Sequence, residues 1–163
     1  MITETNTVAE LMMPWGIDVD LADGAMREPD RVLVRRASDM RGYYRSESAL
    51  EQLIGRGDPV HYEVFEKEIP AAYGHLLFCI SKLYPGRVGD ECFMTKGHYH
   101  TVAETAEIYL CIRGGGYMLM KTPPDADGCS ECHFEPMVRN RLVYVPPYWA
   151  HRSINTGDEP LIS

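Results

Sequence analysis

The sequence predicts an all-β fold, a sandwich or a barrel, organised as a single domain. Beyond residue 56 the chain consists mainly of short stretches rich in β-branched and aromatic residues, the composition typical of strands. Gly/Pro turn signals separate these stretches, for example Pro85-Gly86 and Gly114-Gly115-Gly116. The 163 residues are 45% hydrophobic, which suits one domain with a substantial core and argues against disorder.

Charge and hydropathy exclude several classes of partner. The chain carries 16 Lys and Arg against 24 Asp and Glu, a net charge of −8, so it gains no general attraction to a phosphate backbone and nucleic acid is not expected. No apolar run approaches the ~20 residues that span a bilayer, so no membrane partner is expected. The N-terminus lacks the basic start and apolar block of a secretory signal, which predicts a cytoplasmic protein.

The first third of the chain predicts an arm, a strand and a helix. Residues 1–30 mix apolar and acidic residues with Pro and Gly, and we expect an arm that packs on the main body or on a partner subunit. The RVLVRR segment, 31–36, predicts a short strand. Apolar residues then recur at helical spacing between Ser46, the predicted N-cap, and Gly55, the predicted C′ residue.

The remainder, from about residue 57 to residue 163, predicts the β-barrel. The HYEVFEKEI segment and the longer apolar run 75–84 predict two strands. The stretch AEIYLCIRGGGYMLMKTP predicts a hairpin that turns at Gly114–Gly116, because glycine readily adopts positive φ. After a polar connection, further strands are predicted at RLVYVPP and from HRSINTGDEPLI.

The five cysteines are odd in number and scattered, which argues against a disulfide framework. Cys79 and Cys111 lie in apolar runs and are predicted core residues. The sequence Cys129-Ser-Glu-Cys132-His133 has the spacing of a c-type haem attachment site or of half a zinc site. A polar hairpin tip is the favoured interpretation, because haem attachment needs an exported chain and a second zinc pair is not evident.

The stretch GHYHTVAETAEIYL contains a candidate metal site. His98 and His100 are two positions apart, so in a strand both imidazoles point to the same side of the sheet. Glu107 follows a loop and can return to the same place, and His151 comes much later, after Pro146-Pro147. Three imidazoles and one carboxylate suit a first-row divalent ion and leave an octahedral ion open positions for water or substrate. The other three histidines are interpreted as ordinary: His61, His75 and His133.

This spacing resembles the cupin signature, a Gly with His-x-His, a gap, Glu and a closing Gly, followed later by Pro-x-x-x-His or similar. It is met here by Gly97, His98, His100, Glu107, Gly114 or Gly116, Pro147 and His151. The strings MTKGHYH, AEIYLCIRGGGYMLM and VYVPPYWAHRSINTGDEP resemble more specifically the archaeal-type, cupin glucose-6-phosphate isomerases, from about residue 31 to the end. The resemblance implies a cupin-type jelly-roll β-barrel with an N-terminal arm and one or two short helices. It also implies a homodimeric, metal-dependent enzyme that interconverts glucose 6-phosphate and fructose 6-phosphate, a small phosphorylated sugar being its partner.

The resemblance also implies roles for individual residues. The metal ligands carry over onto His98, His100, Glu107 and His151, for one divalent ion per chain, with iron first and manganese, zinc or nickel as alternatives. Glu107 is the expected catalytic residue, as ligand only or also as proton carrier, and His98 and His100 join it mainly as ligands. The substrate contacts carry over onto Thr95, Gly97, Tyr109 and Tyr148.

Two other functions fit the same residues. An oxygenase that uses ferrous iron could have the same ligand set, and a cupin could bind a sugar phosphate without turning it over. Members of the isomerase family continue past the INTGDEP strand with another strand and a segment that carries Tyr, His and Gly and helps to close the sugar-phosphate pocket. Those positions lie beyond Ser163, which keeps the non-catalytic function as an alternative.

Overall fold

The computed structural model describes residues 14–70 and 74–163, and its architecture confirms the predicted all-β class. These ranges contain one α-helix, α1 (Glu47–Gly55), and one 3-10 turn, Ala37–Met40. The strands, numbered in chain order, are β1 Val19–Asp20, β2 Ala25–Met26, β3 Arg31–Arg36, β4 Val60–Glu66, β5 Cys79–Leu83, β6 Arg87–Val88, β7 Glu91–Cys92, β8 Glu107–Leu110, β9 Gly115–Lys121, β10 Cys132–Val138, β11 Leu142–Val145, β12 Ala150–Asn155 and β13 Leu161–Ile162.

Three antiparallel ladders form the body of the protein. Their strand orders are β13-β5-β4-β3, β10-β9-β12 and β11-β8, and the short pairs β1-β2 and β6-β7 lie beside them. The chain that leads into the His-x-His segment joins the second ladder, because Met94 pairs with Ile154 and His98 pairs with His151. The two halves of the predicted metal site are therefore neighbours in one sheet.

One core is shared by all three ladders. Its buried residues include Tyr62 on β4, Leu83 on β5, Met118 on β9, Val143 on β11 and Leu161 on β13. Side chains from the inner faces of the sheets meet in this core, which is how a jelly roll buries its apolar surface. The main core also includes Leu50 of α1, so the helix packs on the sheets.

The N-terminal region is described from Pro14 onwards. Here β1 and β2 form a small hairpin, and Met26 packs with Ile80 and Ile162 in a second apolar cluster. The part of the predicted arm before residue 14 lies outside the described residues. The single-domain assignment, with an arm over 1–30 and a barrel from about residue 57, stays a prediction. No helix in the described ranges is long and apolar enough to cross a membrane.

The predicted hairpin around Gly114–Gly116 is wrong. Strand β8 pairs with β11, whereas β9 pairs with β10 and β12, so the glycines carry the chain from one sheet to the other. A side chain on Gly114 would collide with the carbonyl oxygen of Pro160, and one on Gly116 with that of Ile154. Glycine is needed here for close backbone approach rather than for a two-strand turn.

The predicted helix is present, with its end displaced. The Ser46 hydroxyl accepts a hydrogen bond from the Ala49 amide at 3.2 Å, which confirms Ser46 as N-cap. Gly55 is the last helical residue rather than C′, and Arg56 is the C-cap. Gly57, at φ +138°, provides the positive φ that was assigned to Gly55.

The apolar run 75–84 forms a shorter strand than predicted, Cys79–Leu83. Leu76 and Leu77 precede that strand and are exposed, so apolarity alone did not mark a buried strand there. The predicted core position of Cys79 is wrong, since its side chain is exposed, whereas Cys111 is fully buried as predicted.

Candidate metal centre

His98 and His151 are held together by their own backbones. The His98 amide donates to the His151 carbonyl at 3.2 Å, and the His151 amide donates to the His98 carbonyl at 3.1 Å. This reciprocal pair fixes both Cα atoms, and the two imidazole centroids lie 4.7 Å apart. The ring of His100 lies 5.9 Å from that of His98 and 5.1 Å from that of His151. The ligand nitrogens of the three histidines all lie within 4.8 Å of one another.

Glu107 completes the group from the first position of β8. Its Oε2 lies 3.0 Å from Nε2 of His100 and 3.0 Å from Nε2 of His151. All four residues that the sequence predicted as metal ligands therefore converge on one place, from two different sheets.

The hydrogen bonds of His100 indicate which species this place suits. Its Nδ1 lies 2.9 Å from the Thr105 carbonyl oxygen, which can only accept, so Nδ1 carries the proton. In the neutral imidazole the lone pair is then on Nε2 and faces the Glu107 carboxylate, so that two acceptors oppose each other. The group needs a positive charge between these atoms, either a proton or a metal ion. This donor set fits a divalent ion, and fixing the far nitrogen of a ligand histidine is typical of metal sites.

The ionisation states also suit a cation. Burial opposes ionisation of Glu107, yet when a proton occupies that place the hydrogen bonds from His151 and His100 lower the pKa of Glu107 to about 2. Burial lowers the pKa of His98, which favours the neutral imidazole at neutral pH. Ionised carboxylate and neutral imidazole are the forms that bind metal. His151 is buried, and its Nδ1 has no hydrogen-bond partner among the described residues.

Tyr109, two residues after Glu107 on β8, faces the same interior. Its hydroxyl lies 3.1 Å from His151 Nε2, and its backbone pairs with that of Val143 on β11. Burial, followed by the nearby Glu107 charge, raises the pKa of Tyr109 well above its ordinary value, so the phenol stays protonated. A half-buried neutral hydroxyl beside the histidines can donate a hydrogen bond to an oxygen bound there.

The other three predicted substrate contacts lie around this group in different settings. The Thr95 hydroxyl accepts from the Ser153 amide at 3.1 Å, and it keeps its own proton free to donate. Gly97 has φ +72°, and a Cβ there would lie 3.0 Å from Arg152 Nε, so the backbone requires glycine. Tyr148 also has positive φ, and its side chain is exposed at the turn before β12. Among the described residues its hydroxyl makes no hydrogen bond to the histidine group.

Sequence reasoning missed one polar group near this site. His133 and His151 both lie opposite Met120 across the ladder, so the two histidines share a face of the sheet. Nε2 of His133 contacts Glu135 at 2.9 Å, and Arg141 contacts the same carboxylate at 2.7 Å. A groove of about 360 Å³ lies beside them, lined by Met120, His133, Glu135, Leu142, Val143, Tyr144, Pro146 and Trp149. The sequence predicts a polar connection at His133, whereas β10 begins at Cys132. A strand predicted from Cys132 would have put His133 on the inner face by alternation.

The Cys129/Cys132 motif lies at the exposed tip between β9 and β10. Both thiols are solvent-exposed, and the Cys129 amide donates to the Asp125 carboxylate at 2.8 Å in a polar turn. No group of metal-ligating residues in the described ranges includes either cysteine. These contacts agree with the polar-tip interpretation.

Comparison with known proteins identifies relatives along nearly the whole chain. The profile of the glucose-6-phosphate isomerase (GPI) family matches residues 34–163. The glucose-6-phosphate isomerase of Pyrococcus horikoshii is 47% identical over 149 residues, 91% of this chain and 76% of the relative. That of Thermococcus gammatolerans is 48% identical over 153 residues, 94% and 77% of the two chains. A putative glucose-6-phosphate isomerase 2 of Rhizobium meliloti is 38% identical over 153 residues, which cover 93% of this chain and 74% of the relative.

Solved structures give weaker matches. Vicilin from hazelnut (Corylus avellana) aligns with a TM-score of 0.41 at 12% identity, over 83% of this chain and 27% of that one. A structure of Fe(II)-HppE aligns with a TM-score of 0.44 at 15% identity, over 90% of this chain and 62% of that one. The extent of the family match and the identity to the curated relatives settle the relationship. The chain belongs to the archaeal-type, cupin glucose-6-phosphate isomerase family.

Proposed function

We propose that this protein is a metal-dependent aldose–ketose isomerase that interconverts glucose 6-phosphate and fructose 6-phosphate, a reaction of glycolysis and gluconeogenesis. The observation that carries the proposal is the convergence of three histidines and Glu107 on one place, in a chain that belongs to this family. The small phosphorylated sugar is the proposed partner. A cytoplasmic location and a homodimeric state are part of the same proposal.

His98, His100, Glu107 and His151 would hold one divalent ion. Iron is the first candidate, with manganese, zinc or nickel as alternatives. When bound, such an ion polarises the sugar carbonyl and the adjacent hydroxyl as a Lewis acid. The opposed acceptors at His100 and Glu107 and the low pKa of Glu107 support a cation at this position.

The protein groups around the ion provide orientation and proton handling. Tyr109 donates its half-buried hydroxyl to a sugar oxygen and covers one face of His151. Thr95 and the Gly97 amide are the proposed phosphate donors, because the Thr95 proton is free and glycine permits close approach. Tyr148, exposed at the mouth, is the proposed contact to the sugar.

Glu107 has two proposed roles, ligand only or ligand and proton carrier. As a carrier, one carboxylate oxygen accepts the proton from C2 of glucose 6-phosphate and returns it to C1 of the product. Glucose 6-phosphate deuterated at C2 distinguishes the two. A carrier exchanges its proton with water and loses part of the label, whereas direct hydride shift delivers all of the label to C1.

The proposal is tested with a coupled assay that converts fructose 6-phosphate to glucose 6-phosphate and reports the product through a dehydrogenase. Metal-stripped protein receives iron, manganese, zinc or nickel in turn, and His100→Ala is compared with His75→Ala, a change at an exposed histidine outside the site. Turnover that needs metal, is lost in H100A and is retained in H75A supports the proposal. Absence of turnover with every metal, despite one bound ion per chain, refutes the isomerase function for this chain and favours a non-catalytic or oxygenase-type cupin.

A further inference from the structure

His133 lies in the same row of the sheet as two of the candidate ligands. Four residues stand directly opposite one another on neighbouring strands, in the order His98, His151, Met120 and His133. Residues that are directly opposite in a sheet point to the same face, so His133 shares the inner face with His151. Neighbouring strands lie about 4.8 Å apart, which puts the backbone of His133 about 10 Å from that of His151. The two histidines therefore face a common space, wide enough for one sugar ring.

A carboxylate fixes the imidazole of His133, and a guanidinium fixes that carboxylate. Nε2 of His133 lies 2.9 Å from Glu135 Oε1, and Arg141 Nη2 donates to Glu135 Oε2 at 2.7 Å. These hydrogen bonds, first from His133 and then from Arg141, hold the pKa of Glu135 below its ordinary value, so the carboxylate is ionised at neutral pH. An ionised carboxylate only accepts, so neutral His133 carries its proton on Nε2 and its lone pair on Nδ1.

This arrangement is that of an oriented general base. In catalytic histidines a carboxylate accepts the proton of one ring nitrogen, which holds the ring in place and leaves the other nitrogen to take a proton from substrate. Nδ1 of His133 has no hydrogen-bond partner among the described residues. His133 and Glu135 also line the groove of about 360 Å³, whose wall includes Met120 and Trp149. A small molecule that enters this groove therefore meets Nδ1.

The direction of the sugar along this row rests on the proposed function. Thr95 and Gly97, the proposed phosphate donors, lie at the His98 end of the row. A hexose 6-phosphate with its C6 end there has C1 and C2 beyond His151, toward His133. These are the anomeric carbons, C1 in glucose 6-phosphate and C2 in fructose 6-phosphate. Both sugars must open their rings before hydrogen moves between C1 and C2, because the transfer needs a free carbonyl.

We propose that His133 is the general base that opens the sugar ring, and that Glu135 is a positioning residue that orients it. Nδ1 of His133 takes the proton of the anomeric hydroxyl, and the electron pair of that O–H bond forms the C=O double bond. The bond from the anomeric carbon to the ring oxygen O5 breaks, and its electron pair stays on O5. O5 takes a proton from water in the groove, and the imidazolium returns its proton to the resulting hydroxide.

The first test measures ring opening directly, by magnetisation transfer in NMR spectra between the anomeric protons of α- and β-glucose 6-phosphate. Exchange between the anomers requires the open chain but no isomerisation, so it is measured separately from formation of fructose 6-phosphate. The wild type should accelerate this exchange, and His133→Ala should reduce the protein-dependent rate by about 100-fold or more. His75→Ala, a change at an exposed histidine outside the groove, is the matched control and should retain the wild-type rate.

Two further measurements separate catalysis from folding and binding. Glucitol 6-phosphate has no ring to open, so H133A should bind it with wild-type affinity in a calorimetric titration, which also confirms that the variant is folded. Free imidazole should restore anomer exchange to H133A, beyond the rate of imidazole in protein-free buffer, because the groove gives it access to Glu135.

A double-mutant cycle tests the positioning role of Glu135. Glu135→Gln should reduce anomer exchange by about 10-fold in the wild type and have no further effect in H133A, because Glu135 acts only through His133. A merely structural role would lower exchange equally in both backgrounds. Glu131→Gln is the matched control, an exposed carboxylate next to the start of β10.

Three results would overturn the proposal. They are a wild type that does not accelerate anomer exchange, an H133A variant that exchanges anomers at the wild-type rate, and a loss of glucitol 6-phosphate affinity in H133A as large as its loss of exchange. If the second result accompanies formation of fructose 6-phosphate, the isomerase function stands and this inference fails. Exchange that depends on His133 without any fructose 6-phosphate supports this inference and refutes the proposed isomerase function.

Discussion

Replacing the buried histidine His61 should remove a specific part of the acid sensitivity of folding. The side chain is fully buried, and neither ring nitrogen has a hydrogen-bond partner among the described residues. Its ring stacks on Phe93, with centroids 3.7 Å apart and planes at 17°. Burial lowers the pKa of His61 from 6.5 to about 4, because removing a charged imidazole from water outweighs the opposing effects of the Pro59 backbone and the Asp58 charge.

Proton linkage gives the sign and the size of this effect on the free energy of unfolding. Between pH 6.5 and about 4 the unfolded chain binds a proton at this residue and the folded chain does not. The contribution of neutral His61 to the free energy of unfolding is therefore complete above pH 6.5 and is lost as the pH falls toward 4. With about 1.4 kcal/mol for each pH unit between the two values, the loss is roughly 3 kcal/mol.

His61→Phe keeps an aromatic ring against Phe93 and has nothing to protonate. Urea unfolding of wild type and variant, followed by circular dichroism at pH 7 and pH 4.5 with chelator present, gives the free energy of unfolding at each pH. The wild type should lose about 2 kcal/mol more than the variant across this window, most of the roughly 3 kcal/mol available. His61→Leu is a second apolar replacement, and it controls for poor packing of the larger phenyl ring in His61→Phe. Equal losses in wild type and both variants would refute the reasoning.

Three further outcomes are expected. Glu107→Gln should weaken metal binding by about 10-fold or more, measured by competition with a chelator, because a neutral amide no longer balances the ion; unchanged affinity would exclude Glu107 as a ligand. Tyr109→Phe should retain metal but reduce kcat by about 10- to 100-fold in the coupled assay, and unchanged kcat would show that its hydroxyl serves packing alone. Ser46→Ala should reduce the free energy of unfolding by about 1 kcal/mol through loss of the α1 cap, whereas the exposed Ser48→Ala should have little effect.

The convergence of the four candidate ligands could be predicted from sequence because they form a known pattern, although His98 makes only an isolated bridge and His100 lies outside any strand. The spacing of His98 and His100 suggested a common side, and Glu107 and His151 follow as parts of that pattern. The glycines at 114–116 illustrate the opposite case. A hairpin turn and a close backbone approach both require glycine, and only the positions of Pro160 and Ile154 in the fold distinguish them.

Burial was the other quantity that local sequence did not determine. His61 was interpreted as ordinary because nothing adjacent in sequence marks it, yet β4 places it against Phe93 in the core. Cys79 and Leu76 belong to an apolar run that the fold leaves exposed. Which of several apolar stretches is covered depends on strand pairing between distant segments, and pairing is a property of the whole chain.

The reciprocal backbone pairing of His98 with His151 holds these two residues together independently of the exposed tip between β9 and β10. Their separation is set by a local ladder, and the intervening chain includes an exposed tip closed by the Thr122 amide and the Glu131 carbonyl at 3.0 Å. Exposed polar tips of this kind are where inserted domains and new termini are tolerated. The segment between Thr122 and Glu131 is therefore the place to graft a reporter domain while the four candidate ligands stay in register.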